Sequence, residues 1–258
     1  MEFYAVSSFT KNPFGGNPAG VCILEERWPE DARLKAIAAQ VNLSETAYVL
    51  EKDDMLQIRW FTPTVEVDLC GHATLAAAHV MFMRCGSENL VFTSGHHTLP
   101  VEKDGEMIVL DFPMAEISQL EIDEVPSCFD VKPIEAWTGH DEYMLVFGAR
   151  EEVQSAVCDL NAASNINLSG FVITAAGEEA GVDFVSRYFG PKIGINEDPV
   201  TGSAHTLLVP YWRRVLGKDK MRAMQLSKRG GELHLEATGN RVRIGGHAVI
   251  YLKGRFIA

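Results

Sequence analysis

Residues 74–83, Thr-Leu-Ala-Ala-Ala-His-Val-Met-Phe-Met, constrain the fold more than any other stretch. At helical spacing the run is apolar nearly all round, with Leu75, Ala76, Val80, Phe82 and Met83 spread over its faces. A helix of this kind has to be buried on every side. The segments after it, 90–93, 98–102 and 107–112, read as short strands. Strands wrapped around a central helix satisfy both patterns. The longest uncharged, mostly apolar run, 73–83, falls short of the roughly 20 residues that a bilayer requires.

The stretch leading into this helix has a second copy. Arg187-Tyr188-Phe189-Gly190-Pro191 follows Arg59-Trp60-Phe61-Thr62-Pro63 at an offset of 128. Glu197 then matches Glu66. Gly202-Ser203-Ala204 matches Gly71-His72-Ala73 at an offset of 131, as a three-residue insertion would produce. Either short matches coincide here, or the chain has two halves with a similar turn in each. Gly71 has no Cβ and lets backbone approach a ligand closely. A helix starting at His72 would leave its first N–H groups without intrahelical partners. Those groups and the helix dipole attract an anion such as a carboxylate or phosphate.

A chain of 258 residues makes one large domain or two of about 125. Residues 113–135, irregular and acidic with two prolines, are the expected boundary between halves 1–115 and 116–258. A net charge of −12 argues against a nucleic-acid surface. The five cysteines are odd in number and form no CxxC, which suits free thiols in a reducing compartment. The first residues lack a basic start and an apolar core, so no signal peptide is expected. A cytoplasmic protein without membrane partners is the resulting expectation.

Strands are expected over 2–7, 21–24, 46–50, 56–61, 143–147, 170–175 and 183–189, with a β-meander over 223–258. Helices are expected from the start signals Pro29 and Asp31, on a face of Leu34, Ile37, Ala38 and Val41, to an end at 42–45, over 150–160 on a face of Val153, Ala156, Val157 and Leu160, and over 203–216, capped by Gly217. Residues 12–18 are dense in turn formers.

Several residues could carry chemistry. Glu45 sits at a helix-to-strand junction in the otherwise uncharged stretch 41–50. Facing an apolar cleft, its pKa would rise toward neutrality, where a carboxyl both takes and gives a proton. Otherwise it is a surface loop residue. Asp198 either places a carboxylate beside a ligand or belongs to an Asp-Pro turn. Glu66 and Glu197 are expected to stabilise their turns. His72 could relay a proton or pack at a helix end. His72 and His79 are seven apart, but no third metal ligand has suitable spacing and no metal is expected. His96 and His97 read as a solvated pair. Ser203 could cap its helix or bind a carboxylate, and it lies outside any G-x-S-x-G elbow. Cys70 is either a thiolate base near a helix start or a small buried hydrophobe. No GxGxxG occurs, so no dinucleotide cofactor is indicated.

Five ordered segments carry a family likeness: 12–21 (NPFGGNPAGV), 42–49 (NLSETAYV), 59–74 (RWFTP with CGHAT), 197–205 (EDPVTGSAH) and 225–231 (QLSKRGG). Together they resemble the phenazine-biosynthesis PhzF-like isomerases over nearly the whole chain. The resemblance implies an α+β fold of the diaminopimelate epimerase-like kind. That fold has two similar halves, each a β-barrel-like sheet around a central buried helix, with the active site in the cleft between them. It implies Glu45 as the proton-shuttling acid/base, with His72 and Asp198 assisting. Gly71, Ala73, Gly202 and Ser203 would form the helix-start turns that bind substrate oxygens. A small-molecule carboxylate substrate, no cofactor and a homodimer are also implied.

Related racemases and epimerases place a cysteine before each glycine turn. Here the positions read Cys70-Gly71 and Thr201-Gly202. Threonine cannot act as the second thiolate, so two-base stereoinversion by that pair is disfavoured. One carboxylate that removes a proton and returns it to another carbon shifts a double bond instead.

Overall fold

The computed structural model describes residues 1–52, 55–95 and 97–257. His96, expected to be solvated with His97, lies outside them, while His97 is exposed. Strands outnumber α-helices eighteen to five among the described residues, which makes this a mixed α/β fold with few helices. The chain divides into two compact units, Met1–Asp111 with Gly245–Ala258, and Phe112–Ile244.

The first unit contains strands β1 (Glu2–Ser8), β2 (Asn17–Leu24), β3 (Glu45–Lys52), β4 (Met55–Phe61), β5 (Glu66–Val67), β6 (Asn89–Ser94), β7 (His97–Asp104) and β8 (Met107–Pro113). Its helices are α1 (Asp31–Val41) and α2 (Gly71–Cys85). The second unit contains β9 (Ser118–Leu120), β10 (Glu135–Gly139), β11 (Glu142–Val146), β12 (Gly170–Ala176), β13 (Phe184–Gly190), β14 (Ile195–Asp198), β15 (Lys220–Gln225), β16 (Gly231–Thr238) and β17 (Arg241–Gly246), with helices α3 (Arg150–Ser155), α4 (Leu160–Ser164) and α5 (Ala204–Leu216). The last strand, β18 (Ala248–Arg255), pairs antiparallel with β1. It therefore lies in the first unit, whereas the expected division at 115/116 placed it in the second.

One order of pairings occurs in both units. In the first, β1–β2 is antiparallel, β2–β3 parallel, β3–β4 and β4–β5 antiparallel, and β4–β6 parallel. In the second, β10–β11 is antiparallel, β11–β12 parallel, β12–β13 and β13–β14 antiparallel, and β13–β15 parallel.

Helix α2 is buried from His72 to Ala78 and from Val80 to Phe82. It packs against β1, β2, β3, β6 and β18. Ala76, Ala77 and Ala78 are fully buried, and their small side chains let strands approach the helix on several sides. Met83, expected within the apolar run, is instead exposed near the C-terminal end. Gly86 ends the helix with φ +67°, a left-handed conformation that glycine adopts without a Cβ clash.

Helix α5 packs against β16 and is tied to other strands by its aromatic residues. Trp212 Nε1 donates to Thr174 Oγ1 of β12 at 3.0 Å, and its ring stacks on Phe184 of β13 at 5.3 Å. Pro210 lies inside this helix and has no N–H for the carbonyl of Thr206. The backbone N–H of Ala115 reaches that carbonyl instead, at 3.1 Å.

The helix expected over 150–160 breaks in the middle. Arg187 Nη1 donates to the carbonyls of Val153, Gln154 and Ala156 at 3.1, 3.3 and 2.8 Å. These are the last-turn acceptors that a continuing helix would consume. Val157 N–H turns to Asp130 Oδ1 at 2.8 Å, and its side chain is exposed rather than on a core face. Asp159 then caps α4 by accepting from Asn161 and Ala162. All five cysteines are free. Among the described residues, no helix is long and apolar enough to cross a membrane.

Candidate active site

Alternation along β3 decides where Glu45 points. Tyr48 and Leu50 pack with Leu34, Ile37 and Ala38 of α1. With a period of two, Glu45, Ala47 and Val49 face the other side of the sheet, and α2 packs on β3. The first turn of α2 carries His72. Asn42 ends α1 with φ +52°, so the chain reverses within a few residues and places Glu45 at the first position of β3, opposite Ala19.

His72 is held from below by its own backbone. Ser8 Oγ donates to the His72 carbonyl at 2.7 Å, and Asn17 Nδ2 lies 3.3 Å from ring Nδ1. Both partners flank the turn between β1 and β2. Gly16 makes that turn possible: its φ is +62°, and a Cβ there would meet the Ser8 carbonyl oxygen at 2.1 Å.

His72 Nε2 lies 3.0 Å from Glu45 Oε2, with both side chains almost fully buried. At that distance His72 and Glu45 are close partners, and Cys70 also interacts with the Glu45 carboxylate. The contact is a buried ion pair. Cys70 Sγ sits 3.5 Å from Nδ1 and 4.0 Å from Nε2 of the same ring. Ligand atoms of Glu45, Cys70 and His72 all lie within 4.8 Å of one another.

The electrostatics reverse one expectation. Burial pushes the Glu45 carboxyl upward, but the attraction of His72, with Cys70 beside it, outweighs burial and holds it below its ordinary 4.5. The carboxyl does not rise toward neutrality as an isolated buried Glu would, because a cation is buried with it. Burial likewise opposes protonation of His72. Its interactions with Cys70 and Glu45 outweigh burial, and the imidazole is held well above its ordinary 6.5. For Cys70, burial dominates and keeps the thiol above 9.0, with Glu45 adding to it and His72 opposing. The resting cluster is therefore a carboxylate against an imidazolium, beside a thiol whose ionisation burial opposes. His79, seven residues on, stands outside the cluster; burial and Lys103 push its pKa down.

In the second unit, Asp198 is buried at the end of β14. Thr201 Oγ1 donates to Asp198 Oδ2 at 2.5 Å. Gln225 clamps this turn from β15: its Nε2 donates to the Asp198 carbonyl at 2.9 Å, and its Oε1 accepts the Thr201 N–H at 2.8 Å. His205 Nδ1 donates to the Thr201 carbonyl at 2.9 Å, and burial pushes that imidazole down to about 4, so it stays neutral. Gly202 is buried and Ser203 exposed, and the Ser203 hydroxyl makes no cap bond to α5. Of the two roles expected for Ser203, capping is thus absent.

Arg59 grips Glu66 through Nε–Oε1 at 2.6 Å and Nη2–Oε2 at 2.7 Å, and Arg187 Nε meets Glu197 Oε1 at 2.7 Å. The repeated Arg and Glu therefore stabilise turns, as expected. Asn17, Ser8 and Gln225 were not singled out from sequence. Asn17 and Gln225 lie in the motif segments 12–21 and 225–231, but only the fold tells which polar side chain turns inward.

Gln225→Leu should orphan the Asp198 carbonyl and the Thr201 N–H in a buried place. Each unsatisfied group costs about 1–3 kcal/mol. Urea denaturation should show a loss of that order, and a change below about 0.5 kcal/mol, the range of neutral surface substitutions, would mean that the clamp carries no load.

The arrangement holds one buried carboxylate in its charged form, a cation against it and a thiol alongside. The phenazine biosynthesis-like protein family, PhzC-PhzF, matches residues 6–254 of this chain. An uncharacterized isomerase of Pseudomonas aeruginosa is 43% identical over 258 residues, covering 99% of this chain and 98% of that protein. A mouse phenazine biosynthesis-like domain-containing protein is 39% identical, covering 100% of this chain and 99% of its own. A crystal structure of a PhzF-family protein of Enterococcus faecalis superposes with a TM-score of 0.91 at 42% identity, covering 98% of this chain and 97% of that one. The chain therefore belongs to the phenazine biosynthesis-like PhzC-PhzF family, among enzymes of the isomerase class.

Proposed function

We propose that the chain isomerises a small carboxylate by moving one proton between carbons, with Glu45 as the single acid/base. Glu45 takes a proton from a carbon next to the substrate carboxylate. The electron pair spreads into the extended enolate, and the Glu45 carboxyl returns the proton to a different carbon. Atoms and electrons balance without an oxidant or cofactor, and the net change is a shifted double bond.

The observation that carries this reading is the buried Glu45–His72 pair, 3.0 Å apart. A base of this kind rests in its reactive form. Burial continues to work against its charge. If a substrate oxygen draws the imidazolium toward itself, the counter-charge on the Glu45 carboxyl weakens and its proton affinity rises. His72 thus positions the substrate and sets when Glu45 becomes a strong base.

Asp198, Gly202 and Ser203 belong to the same proposal. The second unit supplies a turn whose carboxylate is fixed by Thr201 and whose helix-start N–H groups suit a substrate oxygen, as Gly71 and Ala73 do at the start of α2. The Thr201 hydroxyl is committed to Asp198, which leaves no second thiol-like base there. The repeated pairing order supports reading the two units as halves of one duplicated design, each a sheet around a central helix. A homodimer and a cytoplasmic setting complete the proposal.

The test is turnover of small carboxylates with an acidic C–H in D2O across pH. Deuterium should enter a carbon of the isomerised product. The free-enzyme profile of kcat/KM should be flat between 4.5 and 6.5, since Glu45 titrates below that window and His72 above it. A limb inside the window would contradict the ion-pair assignment.

A further inference from the structure

The two units carry an acid on neighbouring strands of one corresponding rung. Aligned on the repeated Arg-aromatic-Phe, Phe61 of β4 corresponds to Phe189 of β13. Phe61 pairs with Thr46 and Phe189 pairs with Phe171, so Glu45 on β3 corresponds to Gly170 on β12. Glu45 lies opposite Ala19 of β2, and Gly170 lies opposite Glu142 of β11. The second unit thus has a glycine where the first has its acid, and an acid where the first has an alanine.

That glycine leaves room for a hydrogen bond. A Cβ on Gly170 would meet the Phe189 carbonyl oxygen at 2.5 Å and the Tyr188 hydroxyl at 3.2 Å, so the hydroxyl lies over bare backbone. There it is hydrogen-bonded to the Glu142 carboxyl. Asp141, the neighbouring acid, is committed to Ser169, whose hydroxyl donates to it. Burial pushes the Tyr188 phenol up, with Glu142, then Asp198 and Asp141, adding to it, so Tyr188 keeps its proton and donates. A carboxyl oxygen accepts that bond whether Glu142 is ionised or neutral.

Tyr188 is also the direct ladder partner of Asp198 on β14. Directly opposed residues share a face, with Cβ atoms about 4.5–5.5 Å apart. The register shifts just past this pair, between Tyr188 and Gly190, and such an irregularity re-aims side chains. Thr201 and Gln225 fix the Asp198 carboxylate and carbonyl, and Tyr188 is the ring set beside them on the next strand.

We propose that Glu142 is a positioning residue for Asp198: by fixing the Tyr188 hydroxyl over Gly170, it sets the ring against which the Asp198 side chain is oriented. The role rests on the place given to Asp198 in the function proposed above; the Glu142–Tyr188 bond does not.

Two measurements on the whole chain test it. Urea denaturation of Glu142→Ala, Tyr188→Phe and the double variant reads the bond: the double variant should lose clearly less stability than the two single losses added together. Additive losses overturn the bond. Steady-state turnover of a carboxylate substrate reads the positioning. Glu142→Ala and Tyr188→Phe should each lower kcat/KM by about five- to tenfold, the worth of one hydrogen bond. Glu142→Gln still accepts the hydroxyl and should restore most of that loss. In an Asp198→Asn background, Glu142→Ala should lower kcat/KM by less than about twofold, since both changes act through one group. An equal loss in both backgrounds, or a Glu142→Gln variant as impaired as Glu142→Ala, overturns the positioning role. If Asp198→Asn turns over normally, the place of Asp198 in the proposed function falls, and the role of Glu142 with it. If Asp198→Asn is impaired while Glu142→Ala and Tyr188→Phe are not, the role of Glu142 falls and the function stands.

Discussion

Glu45→Gln should lower turnover by about 10²-fold or more while leaving the fold in place, the loss typical of removing a positioned acid/base. Gln keeps the size and shape of the side chain but neither accepts a proton from carbon nor returns one. The pairing of Glu45 with Ala19 runs through the backbone and is untouched. His72 loses its carboxylate partner, and burial then returns the imidazole to its neutral form, which tolerates a buried amide neighbour. Unfolding should therefore stay cooperative and close to wild type, as judged by thermal denaturation. Near-normal turnover in the variant would sink the assignment of Glu45 as the proton carrier. A parallel Cys70→Ser variant separates the racemase reading: a thiolate base would make it equally inactive, whereas a neutral thiol beside the pair should cost far less.

Much of the scaffold was legible because its signals are local. The apolar run 74–83 dictated a buried helix, and α2 is one. The matched Arg and Glu of the two copies became the ion pairs Arg59–Glu66 and Arg187–Glu197. The junction ahead of β3 marked Glu45. What could not be read came from long-range contacts. The helix over 150–160 broke because Arg187, some thirty residues on, takes its last-turn carbonyls. The meander at the end lost its last strand to β1, since edge pairing is set by the fold and not by alternation. The expected rise of the Glu45 pKa followed correctly from burial alone. It failed because His72 arrives from another element as a buried counter-charge. A sequence shows that a carboxylate is buried more readily than it shows what is buried with it.

His72→Asn tests that counter-charge through stability. In the wild type, Glu45 is depressed below 4.5, so its contribution is present above that value and is lost as pH falls through the folded pKa. His72 is raised above 6.5, so its contribution is complete below that value and is lost as pH rises through the folded pKa. Between 4.5 and 6.5 both contributions are intact. In the variant, Glu45 keeps its burial and loses the cation. Leaving an ionised group buried without its partner costs about 3–5 kcal/mol, and the carboxyl can limit that cost by taking up a proton. Its pKa then lies above the unfolded value. The folded state binds the extra proton, and stability falls as pH rises from 4.5, where these two groups hold the wild type level. The gap between wild type and variant should thus be smallest in acid and widest within the 4.5–6.5 window, measured by urea denaturation at a series of pH values. Other titrating groups are common to both proteins and cancel in the difference. A gap that does not change with pH would mean that Glu45 and His72 are not charged partners. The single-base mechanism would then lose the element that holds its base ionised at rest.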